Sequence, residues 1–330
     1  MSKQKSVVVF TKNLPPDLLA LLRARYLVTV VSPGKDRAAF LAAVQSAHGL
    51  LGSTVPMGEE LLAGAQNLEV ISSISAGVDN YDIPYLTRRR IALTHTPDVL
   101  TETTADMGFA LLMAAARRVV ELAEYVKAGR WTAGLPEEYF GTDIHGKRLG
   151  IIGMGRIGQA VARRGHLGFG MPILYTGRRR NESAEGELGA QFVSLDKLLA
   201  AADFVCVTVP LSPETTDLIG PREFGLMRPT AIFINIARGK VVDEAALIAA
   251  LATGQIRAAG LDVFETEPLP VDSPLLQMAN VVALPHVGSA TVETRRAMAQ
   301  LAVENLIAAL DGLQPRYTVH PEVFGEQTKS

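Results

Sequence analysis

The sequence predicts an α/β fold in two domains. Three observations carry that reading: short β-branched runs alternating with helical patterns at the start of the chain, a second such series beginning at "KRLGIIGMG", and a length of 330 residues, which exceeds one ordinary core and suits two. Hydrophobic residues make up 48% of the chain and charged residues 20%, the profile of a packed protein and not a disordered one.

Residues 6–10, "SVVVF", read as a buried strand, and residues 15–26, "PPDLLALLRARY", as a helix opened by proline with leucines along one face. The runs "LVTVV", "GLLGS", "LEVISSIS" and "IALTHT" follow as strands, with helical segments between most of them. Such alternation predicts a parallel sheet covered on both faces. Residues 101–131 read as one long helical stretch with threonines and an acid at its head. The second series opens on the strand of residues 149–152, and residues 291–310 form a last long helix before a short polar tail. No low-complexity linker separates the halves.

Charge and composition exclude several classes of function. The formal net charge of −2 argues against a general nucleic-acid or anionic-membrane surface, while leaving local basic pockets open. Cys206, the only cysteine, excludes an intrachain disulfide and reads as filler in a buried strand, which suits a reducing compartment. The N-terminal apolar run is too short for a signal peptide, and the longest apolar segment falls well below the roughly 18 residues of a membrane span. The expected setting is the cytoplasm, and no metal is called for.

The segment "LGIIGMGRIGQAVARR" contains Gly153, Gly155 and Gly158 in G-x-G-x-x-G spacing, ending an apolar strand and opening a helix. That context predicts a Rossmann dinucleotide site: Gly153 permits the tight turn, Gly155 lets the backbone approach the pyrophosphate, and Gly158 lets helix and strand pack. The helix N-terminus offers N–H groups and a positive dipole to the anion. An acid about 20 positions further on would take the ribose hydroxyls of NAD, whereas arginine there accommodates the 2′-phosphate of NADP. Counting onward reaches Gly177, with Thr176 before it and Arg178, Arg179 and Arg180 behind. Alone, that basic run reads as a solvated turn. After the glycines, Thr176, Arg178 and Arg179 read as a phosphate site, which predicts NADPH as cofactor with NADH weaker.

Three later strands end in polar residues, where open α/β sheets hold their chemistry: "AIFINIARGKVVDE" with Arg238, "AAGLDVFETEP" with Asp262 and Glu267, and "NVVALPHVGSAT" with His286. An arginine, a carboxylate and a histidine so placed suggest reduction of a 2-keto acid. Hydride transfer leaves charge on the oxygen, which His286 can protonate, and a paired carboxylate would favour the charged ring and orient it. Arg238 would hold the substrate carboxylate and polarise the keto group. The bland alternative is a surface ion pair between Arg238 and Glu267 and a strand-capping histidine. The remaining histidines read as surface or structural.

Taken in order, "SISAGVDNYD", "GIIGMGRIG", "INIARGKVVDE", "GLDVFETEP" and "PHVGSAT" resemble the D-isomer-specific 2-hydroxyacid dehydrogenase family almost end to end. The resemblance implies a flavodoxin-like substrate (catalytic) domain from residues 1–99 and 288–330, and an inserted Rossmann domain from residues 100–287. It implies Arg238, Glu267 and His286 as the catalytic set, with the backbone N–H groups of Ala76 and Gly77 on the substrate carboxylate. It also implies cofactor contacts from Thr104, Arg156, Ile157, Pro210, Ile236, Asp262 and Ser289. "DVLTETTAD", "FGTDIHG" and "PVDSPLL" are most similar to bacterial reductases of glyoxylate, hydroxypyruvate and 2-ketogluconate.

Departures from siblings narrow the choice: Ala76 stands where phosphite dehydrogenases carry lysine, and Glu267 where formate dehydrogenases carry glutamine. Corepressors of the same family, dinucleotide-sensing scaffolds that favour NAD(H), are the rival from another class, and "TGRRR" and the compact ends speak against them. The resemblance further implies a homodimer through the Rossmann domain, using the arm "AGRWTAGLPEEYFGTD". The aromatics of that arm are expected to be covered, either by a second copy or by the chain's own core.

Overall fold

The computed structural model describes residues 4–11 and 14–325. The chain divides into two compact units, Met1–Leu100 with Ala290–Ser330, and Thr101–Ser289. Of the polar tail expected after residue 310, residues 311–325 are ordered against the first unit, with His320 buried and a short helical turn at Pro321–Phe324, and residues 326–330 lie outside the described residues.

In the first unit β1 (Ser6–Val9), β2 (Leu27–Val30), β3 (Gly49–Gly52), β4 (Val70–Ser73) and β5 (Ala92–Thr94) form a parallel sheet in the order β2-β1-β3-β4-β5. This is the flavodoxin-like order. Side chains alternate along β1: Val8 joins Phe40, Leu50 and Ile71 on one face, while Val7 and Val9 join Leu22, Leu51 and Leu306 on the other. The helix Val292–Leu310 covers that second face, so the end of the chain completes the unit its start begins. Thr291 caps this helix by accepting from Thr294 N at 3.2 Å, and Ser72 donates to Ala302 O at 2.7 Å beneath it.

In the second unit β6 (Leu149–Ile152), β7 (Ile173–Thr176), β8 (Gln191–Phe192), β9 (Phe204–Val207), β10 (Ile232–Asn235), β11 (Ala258–Leu261) and β12 (Val281–Ala283) are all parallel, in the order β12-β11-β10-β9-β6-β7-β8. The order reverses between β6 and β9, the switch point of a Rossmann sheet, where a crevice opens beyond the carboxyl ends of the strands. Helices fill both faces, one core holding Phe109, Ile151 and Ile234 and the other Leu198, Phe224 and Phe233. Cys206 is buried in β9, and burial pushes its thiol up to about 12, so it is inert filler.

One expectation needs correction. Residues 101–131 are not one helix but two, Thr101–Ala116 and Val119–Lys127, broken at Arg118, whose φ is +53°. No glycine or proline marks the break. Instead Thr142 N donates to Ala116 O at 2.8 Å, taking an acceptor a continuous helix would use, and Arg118 pairs with Glu121 at 2.6 Å and lies over Tyr139. The arm that follows leaves Trp131 65% and Phe140 53% exposed, so the chain's own core does not cover them.

Candidate functional site

The glycine turn is built by close approach. Gly153 follows β6 with φ +101°, and a Cβ there would fall 2.7 Å from Val209 Cγ1 and 2.9 Å from Val209 N. A Cβ on Gly158 would fall 2.2 Å from Gly153 O, so the helix Arg156–Arg163 seats directly on the turn. Gly155 differs: a Cβ there would meet no protein atom within 4 Å. It is the N-cap of that helix, which no side chain caps, so the first N–H groups face space open to a ligand. Arg156 and Ile157 form its first turn. A dinucleotide pyrophosphate fits this cradle.

The basic loop is anchored to the same turn. Thr176 O accepts from Gly153 N at 2.9 Å, and Asn181 Nδ2 donates to Met154 O, also at 2.9 Å. Tyr175 and Arg180 both bind Glu185, at 2.6 Å each, and Asn181 N donates to the Tyr175 hydroxyl at 2.7 Å. Arg180, with the Tyr175 hydroxyl, thereby holds the Glu185 carboxyl below its ordinary range. Arg178 and Arg179 are exposed beside this brace, and no ion pair or hydrogen bond engages either among the described residues. The Glu214 carboxyl is held low chiefly by the Ser212 hydroxyl, with a smaller contribution from the charge of Arg178.

Arg238, Glu267 and His286 converge at the carboxyl end of the other half-sheet. At the end of β10 the buried Asn235 accepts from Ala237 N and donates to Arg238 O, both at 3.0 Å, which shapes the turn presenting Arg238. A Cβ on Gly239 would fall 1.8 Å from the Phe264 carbonyl carbon, so this turn is locked against the segment leading to Glu267. Glu267 Oε1 accepts from Phe264 N at 3.1 Å, and its Oε2 accepts from His286 Nδ1 at 2.7 Å. Burial acts to raise the Glu267 carboxyl, but these two bonds and the charges of His286 and Arg238 outweigh it and hold it below the usual range. An apolar cavity of about 420 Å³, lined by Phe264, Leu269, Leu276, Leu284 and Pro285, borders the pair.

His286 itself stands in the left-handed region, φ +54°. Asp262, 2% exposed, holds the turn that follows, accepting from Val287 N and Gly288 N at 2.7 Å each. Burial raises the Asp262 carboxyl, opposed by those two bonds. Thr104 packs beneath Gly288, and Ser289 follows. Ile236 is buried just after β10, and Pro210 is exposed just after β9.

A family model for the D-isomer specific 2-hydroxyacid dehydrogenase NAD binding domain matches residues 109–288. The chain belongs to this family. A glyoxylate/hydroxypyruvate reductase B of Yersinia pestis is 52% identical over 97% of this chain and 99% of its own, and that of Citrobacter koseri 53% identical over 97% and 100%. Among solved structures, the TT0316 protein of Thermus thermophilus superposes with a TM-score of 0.87 at 43% identity, covering 96% of this chain and 100% of that one. The NADPH-dependent glyoxylate/hydroxypyruvate reductase of Sinorhizobium meliloti, in complex with NADP and malonate, does so with 0.86 at 33% identity over 97% and 98%.

For this dehydrogenase, sequence reasoning missed the residues that hold the site in shape: Asn181, Tyr175 and Asn235. Only Asn181 carried a signal, as the N-cap of the helix Glu182–Leu188. Of the other histidines, His48 accepts from Ser6 N, His320 is buried between Thr87 Oγ1 and Leu93 N, and His145 is exposed.

The last two glycines of the motif predict separable effects. Gly158→Ala forces backbone apart and should lower stability by roughly 1–3 kcal/mol, whereas Gly155→Ala should change it by less than about 0.5 kcal/mol yet weaken dinucleotide binding. Thermal unfolding and cofactor titration of both variants check this. Equal destabilisation would remove the distinction.

Proposed function

We propose that this enzyme uses NADPH to reduce small 2-keto acids, glyoxylate, hydroxypyruvate and 2-ketogluconate among them, to D-2-hydroxy acids. The observation that carries the reading is the 2.7 Å contact between His286 Nδ1 and an ionised Glu267. With its Nδ1–H donated to the Glu267 carboxylate, the imidazole can carry a second proton at Nε2, the one the forming alkoxide takes. Bound NADPH would supply the hydride. Arg238 would hold the carboxylate and polarise the keto oxygen, with the backbone N–H groups of Ala76 and Gly77 as further carboxylate donors. Asp262, Thr104, Ile236, Pro210 and Ser289 are the proposed nicotinamide-side contacts, and the glycine turn with Thr176, Arg178 and Arg179 the phosphate side.

The names of the curated relatives support the substrates glyoxylate and hydroxypyruvate, and the NADPH-dependent Sinorhizobium enzyme supports the cofactor. The extension to 2-ketogluconate rests on sequence resemblance. A cytoplasmic setting belongs to the same reading, consistent with the free, buried Cys206.

Cofactor choice and substrate are tested together. Arg178→Ala should lower kcat/KM for NADPH by an amount equivalent to roughly 1.5–3 kcal/mol and leave NADH nearly unaffected, since only NADPH carries the 2′-phosphate. Hydroxypyruvate should exceed pyruvate by at least about tenfold. A wild type that prefers NADH, or that takes pyruvate best, contradicts the proposal.

The same reading includes a homodimer. Val119, Val120 and Val126 on one helix and Trp131 and Phe140 on the arm are all exposed, an apolar surface that a second copy would cover. Sedimentation at micromolar concentration should give twice the 35.3 kDa chain mass; a single-chain species alone would refute it.

A further inference from the structure

We infer that His95 is a positioning residue for substrate binding, aiming the N–H of Gly77 by holding the carbonyl of the same peptide. The inference rests on the reading that Ala76 and Gly77 bind the substrate carboxylate.

β4 and β5 are neighbours, and beyond their carboxyl ends the two chains stay side by side: Thr96 N donates to Ser75 O at 2.8 Å. His95 lies just after β5 and Ala76 just beyond β4. Backbone bonds clamp His95 on two sides, its N–H donating to Tyr317 O at 3.2 Å and its carbonyl accepting from Asn305 Nδ2 at 3.2 Å. Its half-buried ring then sits with Nδ1 2.9 Å from Ala76 O. A carbonyl oxygen only accepts, so Nδ1 carries the proton and donates.

The Ala76–Gly77 peptide is trans, so the Ala76 carbonyl and the Gly77 N–H point in opposite directions across one rigid plane. Fixing the oxygen on His95 fixes the N–H away from it. The bond also polarises the amide, which makes the Gly77 N–H a stronger donor to an anion. A loop glycine without this clamp would lose rotational freedom on every binding event; with it, the donor is aimed beforehand. Nothing in "IALTHTPDV" marks His95 for this task, because its partner is a backbone atom 19 residues away.

Such a role has its own kinetic signature. His95→Leu should raise KM for glyoxylate about tenfold, with kcat and the Kd for NADPH within about twofold of wild type, since the lost interaction concerns carboxylate binding alone. His95→Asn, whose amide can donate from near the Nδ1 position, should recover most of the loss. His95→Gln carries its amide at the Nε2 position and serves as the non-donating control if leucine is not tolerated. An unchanged KM in the leucine or glutamine variant, or an asparagine variant as impaired as they are, overturns the inference. Ala76→Asp separates it from its premise: a carboxylate there should raise KM more than tenfold by repulsion. If Ala76→Asp acts and His95→Leu does not, the positioning role alone is wrong; if Ala76→Asp is silent, the carboxylate is held elsewhere and the premise falls.

Discussion

Asp262 holds the turn on which the rest of the site depends. His286 sits in left-handed backbone, which costs a residue with a Cβ roughly 1–2 kcal/mol. The two bonds that the Asp262 carboxylate accepts from Val287 and Gly288 are hydrogen bonds to a charged group, each contributing roughly 1.5–3 kcal/mol. These bonds oppose the strain and hold the turn that delivers His286 to Glu267. Burial of Asp262 is the cost of the arrangement: it raises the carboxyl above its ordinary range, and those same two N–H groups offset it only in part.

A similar economy of backbone contacts organises the dinucleotide side. Gly153 and Gly158 are required by neighbours that leave no room for a Cβ, whereas Gly155 faces open space. Asn181 ties the basic loop to the carbonyl of Met154 between them, so a shift of the glycine turn would carry Arg178 and Arg179 with it. Both halves lie at the carboxyl ends of parallel strands, the glycine turn at the β6–β9 switch point and the His286–Glu267 pair beyond β11 and β12.

Much of this was legible in the sequence because glycine spacing, β-branched runs and polar strand ends are local signals. The strand "LGII", the turn after it and the polar residues closing β10, β11 and β12 could be read without coordinates. The break at Arg118 could not, since its cause is a hydrogen bond from Thr142, far along the chain. Nor could the braces at Asn235 and Asn181, or the clamp at His95, because each acts on a backbone atom that has no identity in sequence. The aromatics of the arm were legible as a group needing cover; that the single chain leaves Trp131 exposed is a fact of tertiary structure.

The central claim is that His286 gives its proton in the reduction while an ionised Glu267 stabilises the charged ring. Because Glu267 is held below its ordinary range, it stays ionised throughout neutral pH and keeps a negative charge 2.7 Å from His286 Nδ1. The direct measurement is kcat with glyoxylate and the Kd for NADPH in the wild type, in Glu267→Gln and in His286→Ala. kcat should fall about tenfold or more in Glu267→Gln and further in His286→Ala, with the Kd within about twofold of wild type, because both groups serve the forming alkoxide and not the cofactor. An unchanged kcat in either variant would contradict it.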